Sequence, residues 1–258
     1  MNNIWGNRQL IRLIIKISIY SLLIIFSLVI TDFAIGSEKK NMEKQHVLNQ
    51  KQQCIIQIAA FTADGEINRL KPVLNQGLDA GLKVNEIKEV LVHLYAYTGF
   101  PRSLNALSAF MEVMDERKAK GIEDTVGKEA SPVPPDLDRD EYGAKVRANL
   151  AGLNTVPPPA KWQLFSPVID TFLKEHLFAD LFIRDVISHK DRELATIAAL
   201  ANMTGTGSQL GFHLGAGMNT GLTEEQMEDF ISVFETTVSK TRAESAKKIL
   251  AEVLINRR

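Results

Sequence analysis

Cysteine is almost absent from this 258-residue chain, where Cys54 stands alone. One thiol excludes an intramolecular disulfide, a cysteine-rich zinc module and a Cys-x-x-Cys redox pair. An excess of either charge is missing too: 30 basic and 31 acidic residues leave a formal net charge of −1. That balance supplies no basic footprint for nucleic acid or an anionic lipid surface. Histidine is scarce, and His46, His93, His176 and His189 share no spacing that a metal site would use. Period-two alternation is lacking, and β-branched residues do not gather between turn signals, so the expected architecture is all-α.

What is present begins with a leader. Arg8, Arg12 and Lys16 precede the apolar run Ile17 to Ile30, and Ala34-Ile35-Gly36 places small residues where a signal peptidase reads. The run is short for a membrane span, which needs about 20 apolar residues. Residues 1–36 therefore read as a signal peptide cleaved after Gly36, with a periplasmic or secreted mature chain and no membrane partner beyond the signal. The alternative is an N-terminal anchor starting at Leu13 with Lys16 snorkelling. Cys54 lies in the apolar run Cys54 to Phe61 and is expected to be buried and inert.

The mature chain repeats itself at a spacing of 140 residues. Gln53 to Ala60 matches Glu193 to Leu200, and Gly77 to Leu82 matches Gly217 to Leu222. Ile87, Val90, Leu91 and Leu94 fall opposite Met227, Phe230, Ile231 and Phe234. A polar lead-in over 37–49 is followed by a first copy at 50–115, with apolar positions three and four residues apart as a helix core face requires. Residues 116–164 form a connector stiffened by Ser131 to Pro135 and Pro157 to Pro159, bracketing a short helix at Arg139 to Leu150. The second copy occupies 165–258. Its leading stretch Phe165 to Ile187 is apolar and aromatic, and is expected to pack on that copy.

Two hydroxyl-led segments, Thr206 to Gln209 and Thr223 to Gln226, read as capping boxes. The helix between them carries Gly211, Gly215 and Gly217, each costing about 1 kcal/mol relative to alanine. Such a helix is expected to let a neighbouring helix or a ligand approach closely. It also carries His213, and the preceding helix begins near Glu193. The first copy has Val73 and Gln53 at those places. A carboxylate accepting from one imidazole nitrogen fixes the tautomer, leaving the other nitrogen to shuttle a proton. One histidine and one glutamate are too few ligands for zinc or iron, so no metal and no cofactor is expected.

Arg192-Glu193-Leu194, followed by His213 to Met227 in the pattern H-x3-(G/A)-x3-G-L-T-x-E-x-(I/M/L), resembles the carboxymuconolactone decarboxylase family. In the first copy Glu86 to Val90 and Tyr95 to Ser103 resemble that family's following helix and its Tyr-Ala-Gly-x-Pro segment. The same superfamily includes the alkylhydroperoxidase D-like proteins. The resemblance implies two tandem helical repeats of that type in one core, Glu193 and His213 as a proton-relay pair, and a homo-oligomer such as a trimer. The Cys-x-x-Cys of the peroxide-reducing branch has no counterpart, since the stretch before the histidine is Gly207-Ser208-Gln209-Leu210. The expected function is acid/base chemistry, decarboxylation or isomerisation, on a small lactone or carboxylate. The alternative is a catalytically silent ligand-binding or structural member, and thiol-dependent peroxidase activity comes third.

Overall fold

The computed structural model describes residues 46–257, and Val47 onward forms one compact unit. The leader and its cleavage point lie outside the described residues. Among the described residues every regular element is helical, and no helix is long and apolar enough to cross a membrane.

The first copy comprises α1 (Gln50–Asp64), α2 (Ile67–Asp79), α3 (Val84–Thr98) and α4 (Phe100–Ala119). Asn49 caps α1, accepting from the Gln52 amide at 3.0 Å while the Gln52 side chain accepts from the Asn49 amide. The connector holds α5 (Arg139–Leu150). Two short helices follow, α6 (Lys161–Phe165) and α7 (Pro167–Thr171), and α7 runs on into a π-helical segment, Phe172–Leu181. The second copy comprises α8 (His189–Asn202), α9 (Gly207–Asn219), α10 (Glu224–Thr237) and α11 (Lys240–Arg257).

At the centre α1 and α8 run side by side in the same direction. Near their beginnings Gln52 Nε2 stands 3.5 Å from Asp191 Oδ1. Near their ends Asn202 Nδ2 donates to the Ala60 carbonyl at 2.9 Å and to Asp64 at 2.6 Å. Both helices are buried on nearly every side, the expected place for a helix apolar all round. Alanines 59, 60, 195, 198 and 199, all fully buried, keep the two backbones close.

Helices α2, α3 and α4 begin 140 residues before α9, α10 and α11, as the sequence repeat predicts. The central pair departs from that spacing. Asn49 and Ser188 occupy equivalent caps, and Gln52 and Asp191 equivalent third positions, so α1 and α8 are offset by 139. The extra residue sits in the turn after α8. Glycine contacts show the same offset: a methyl group at Gly77 would approach Ile58, and one at Gly217 would approach Ile197. The residue opposite Glu193 is therefore Cys54 rather than Gln53.

Three other expectations are corrected. Thr206 does not close a capping box. Its backbone is not extended (ψ 17°), and its hydroxyl donates to the Leu200 carbonyl at 2.8 Å, serving the open end of α8 instead. Phe165 to Ile187 does not pack chiefly on the second copy. Phe178 and Phe182 join Leu177 and Leu181 against Val146 and Leu150 of α5, forming a small separate core, while Phe165 and Phe172 are exposed. Finally, Gly211 and Gly215 are not needed for close approach. A methyl group at Gly211 would meet Ile249 of α11 at 3.5 Å, an ordinary contact, and only Gly217 is tight, with Met227 at 2.8 Å.

The closest backbone approach is elsewhere. A Cβ on Gly143 of α5 would lie 1.8 Å from the Lys174 carbonyl oxygen of the π-helical segment, so these two elements meet only because Gly143 has no side chain. Gly143→Ala is therefore expected to destabilise the chain by about 1–3 kcal/mol through forced separation. Gly211→Ala should stabilise it by about 1 kcal/mol through helix propensity alone. Urea denaturation of the full chain measures both, and the two changes should have opposite signs.

Candidate active site

Glu193 and His213, read from the sequence as a pair, are brought together. Glu193 stands in the second turn of α8, a helix capped by Ser188, whose hydroxyl accepts from the Asp191 amide at 3.1 Å. His213 stands at the middle of α9, which packs against α8. His213 Nδ1 lies 2.7 Å from Glu193 Oε2, and both side chains are buried. A carboxylate only accepts, so the shared proton belongs to Nδ1 and the lone pair to Nε2.

The first copy contributes the rest of the surroundings. On α3, His93 and Tyr97 are four residues apart and share a face. The Tyr97 ring stands edge-on to His213 with centroids 5.4 Å apart, and His93 lies behind Tyr97 at 5.3 Å. His93 Nε2 is 2.8 Å from the Thr196 hydroxyl of α8. Glu193 Oε1 and His93 Nδ1 are buried without a hydrogen-bond partner among the described residues. Each such group costs about 1–3 kcal/mol, which a purely structural core would avoid. Burial, and then the negative charge of Glu193, push the Tyr97 phenol far above its ordinary acidity range, so it is a donor at all ordinary pH. Burial, reinforced by the charge of Arg192, holds His93 well below its ordinary value, so it is neutral.

One buried ion cluster fixes these elements together. Arg192, fully buried beside Glu193 in sequence, donates to Glu89 of α3 at 2.6 Å. Arg184 grips the same carboxylate through Nε and Nη2 at 3.0 and 2.9 Å. Asp229, which the 140-residue spacing places opposite Glu89, instead accepts the Leu48 amide at 2.9 Å.

Beside the pair lies a cavity of about 670 Å³. Its apolar walls are Trp162, Ile169, Leu173, Leu177, Phe178 and Phe212, and its polar groups include Tyr97, His213, Ser208, Gln209 and Arg147. With Nδ1 spent on Glu193, His213 Nε2 is the nitrogen open to a molecule seated there. Among the described residues no three metal-ligating side chains converge, and Cys54 is buried on the other copy, its thiol pushed up by burial.

The equivalent location in the first copy carries different side chains. Val73 stands where His213 does, and Arg69, opposite Gln209, donates to the carbonyls of Thr237 and Val238 at 2.8 and 3.1 Å. Thr237 is the counterpart of Tyr97. The same guanidinium lies over the Phe61 ring, 4.2 Å from its centre.

Tyr97, His93 and Arg147 are absent from the sequence-derived site. A signal for two of them exists: the 140-residue spacing puts Val233 opposite His93 and Thr237 opposite Tyr97. Both belong to the first copy, whereas Glu193 and His213 stand out as polar residues of the second.

A tandem all-helical repeat, with a buried carboxylate–imidazole pair on the wall of an apolar cavity, defines the class of protein to which this chain belongs by its fold. The chain belongs to the carboxymuconolactone decarboxylase family, whose model matches residues 38–112 and 167–252. No curated protein matches the chain.

The neutral state of His93 has a measurable consequence. The unfolded chain protonates this residue near pH 6.5, whereas the folded chain resists protonation until lower pH. Stability present above pH 6.5 is therefore lost below it, by up to about 1.4 kcal/mol per pH unit for this one group. His93→Gln is expected to flatten the acid side of the stability profile between pH 6.5 and 5. Thermal unfolding of both proteins across that range tests this, and parallel slopes would argue against a neutral buried His93.

Proposed function

We propose that this protein is an acid–base enzyme acting on a small carbonyl compound, a lactone or a carboxylate, by decarboxylation or isomerisation. The observation that carries the reading is the 2.7 Å contact between His213 Nδ1 and Glu193 Oε2 on the wall of a cavity able to seat a small molecule. His213 Nε2 takes a proton from the substrate, and the buried Glu193 carboxylate stabilises the imidazolium that results. The same nitrogen returns the proton to carbon. Tyr97, a permanent donor edge-on to the imidazole, is placed to hydrogen-bond an oxygen on which charge develops. Family membership supports the class of protein, and the cavity beside His213 favours an occupied site over a silent scaffold.

Deuterium incorporation next to the carbonyl, followed by NMR over a panel of lactones and oxo acids, tests the proposal. His213→Ala is expected to lower the exchange rate by about 100-fold or more, and Glu193→Gln by a smaller factor. Tyr97→Phe should lower kcat while leaving the fold intact, as the phenyl ring keeps its packing. Undiminished exchange in His213→Ala would overturn the catalytic reading.

A further inference from the structure

The charges around the cavity restrict what it can hold. Among the described residues lining it, Arg147 is the one permanent cation, and that charge is already spent. Arg147 Nη1 donates to Asp170 Oδ1 at 2.6 Å, and Gln163 Nε2 donates to the same oxygen at 2.8 Å. Lys174, on the π-helical segment, pairs with Asp140 and lies 3.6 Å from Asp170. Arg147 and Lys174 at this end therefore each have a carboxylate of their own. At the other end the charge is the buried Glu193 carboxylate.

A ligand carboxylate entering here would lose its hydration, meet no unspent positive charge, and approach a buried negative one. An uncharged ligand escapes all three penalties and gains from the apolar walls, Trp162, Leu173, Phe178 and Phe212. The two short helices and the start of the π-helical segment also expose Leu164, Phe165, Val168 and Phe172.

Resting on the acid–base reading of this site, we infer that its substrate is a neutral, apolar, ring-bearing ketone or lactone, and that the reaction moves a proton without releasing carbon dioxide. His213 Nε2 removes a proton from the carbon next to the carbonyl. The C–H electron pair becomes the carbon–carbon double bond of an enolate, whose oxygen accepts a hydrogen bond from Tyr97. In a substrate with a β,γ carbon–carbon double bond the enolate is a dienolate, and the imidazolium returns the proton to its γ-carbon. The product is an isomer of the substrate, and no oxidant, reductant or co-reactant is consumed.

Two probes of equal shape separate the possibilities, 2-acetylnaphthalene (neutral) and 2-naphthoate (anionic). The full chain carrying Trp5→Phe leaves Trp162 as its single tryptophan, on the cavity wall. Quenching of that fluorophore should show the ketone binding about tenfold or more tightly than the carboxylate, the scale expected when an unpaired charge must be desolvated. Asp170→Asn releases Arg147 and is expected to raise naphthoate affinity by about tenfold, with little change for the ketone. Equal or tighter binding of naphthoate by the Trp5→Phe chain overturns the inference, as does binding of neither probe. An Asp170→Asn chain that is folded by circular dichroism and gains nothing for naphthoate overturns the account of Arg147. Proton exchange on the bound ketone's methyl group is read separately by NMR. Binding without exchange overturns the acid–base reading and leaves the ligand class standing.

Discussion

The Glu89–Arg192 ion pair, with Arg184 closing on the same carboxylate, governs the arrangement of this molecule more than any other contact. It joins α3 of the first copy to α8 of the second where neither side chain reaches water. An arginine carries its charge at every accessible pH, so Arg192 can be buried only with a partner held in fixed geometry. Removing one member of such a pair costs about 3–5 kcal/mol, mostly because the other is left charged in the interior. The rotation of α8 against α3 is thereby set. Glu193 then falls beside His213, and Tyr97 falls across the imidazole. The geometry of the candidate site follows from where Arg192 must point.

Much of this was legible in the sequence, because helix period, glycine stops and proline starts are local signals. Gly81, Pro101 and the Arg139–Leu150 helix all appear where local rules place them. The pairing of Glu193 with His213 was legible too, through the contrast with the first copy. What could not be read is whatever depends on two distant segments meeting. Arg147, Trp162 and Phe178 come to the cavity from the connector and the segment after it, and no periodicity in those stretches points to it. The Thr206 capping box failed for a related reason. A hydroxyl at a helix start satisfies whichever backbone group is nearest, and here that is a carbonyl of the helix before.

The one-residue change of offset between α1 and α8 shows how a repeat can mislead. A single spacing of 140 aligns three of four helix pairs and pairs Gln53 with Glu193. Equivalent caps and equivalent glycine contacts pair Cys54 with it instead. A turn absorbs an added residue at little energetic cost, whereas a central helix cannot rotate without turning its alanine face away from its partner. Helix faces are preserved and loop lengths are not, so contacts are the better guide to equivalence.

Arg69 stands at the location that would mirror Gln209 of the candidate site, and this gives the two copies unlike fates. The first copy supplies a wall and a phenol to its neighbour's candidate site, while at its own equivalent location a guanidinium is bonded to two carbonyls. In its side chains the chain is a heterodimer written on one polypeptide. Neither copy could be exchanged for the other, since doubling the first would lose the Glu193–His213 pair and doubling the second would lose Tyr97.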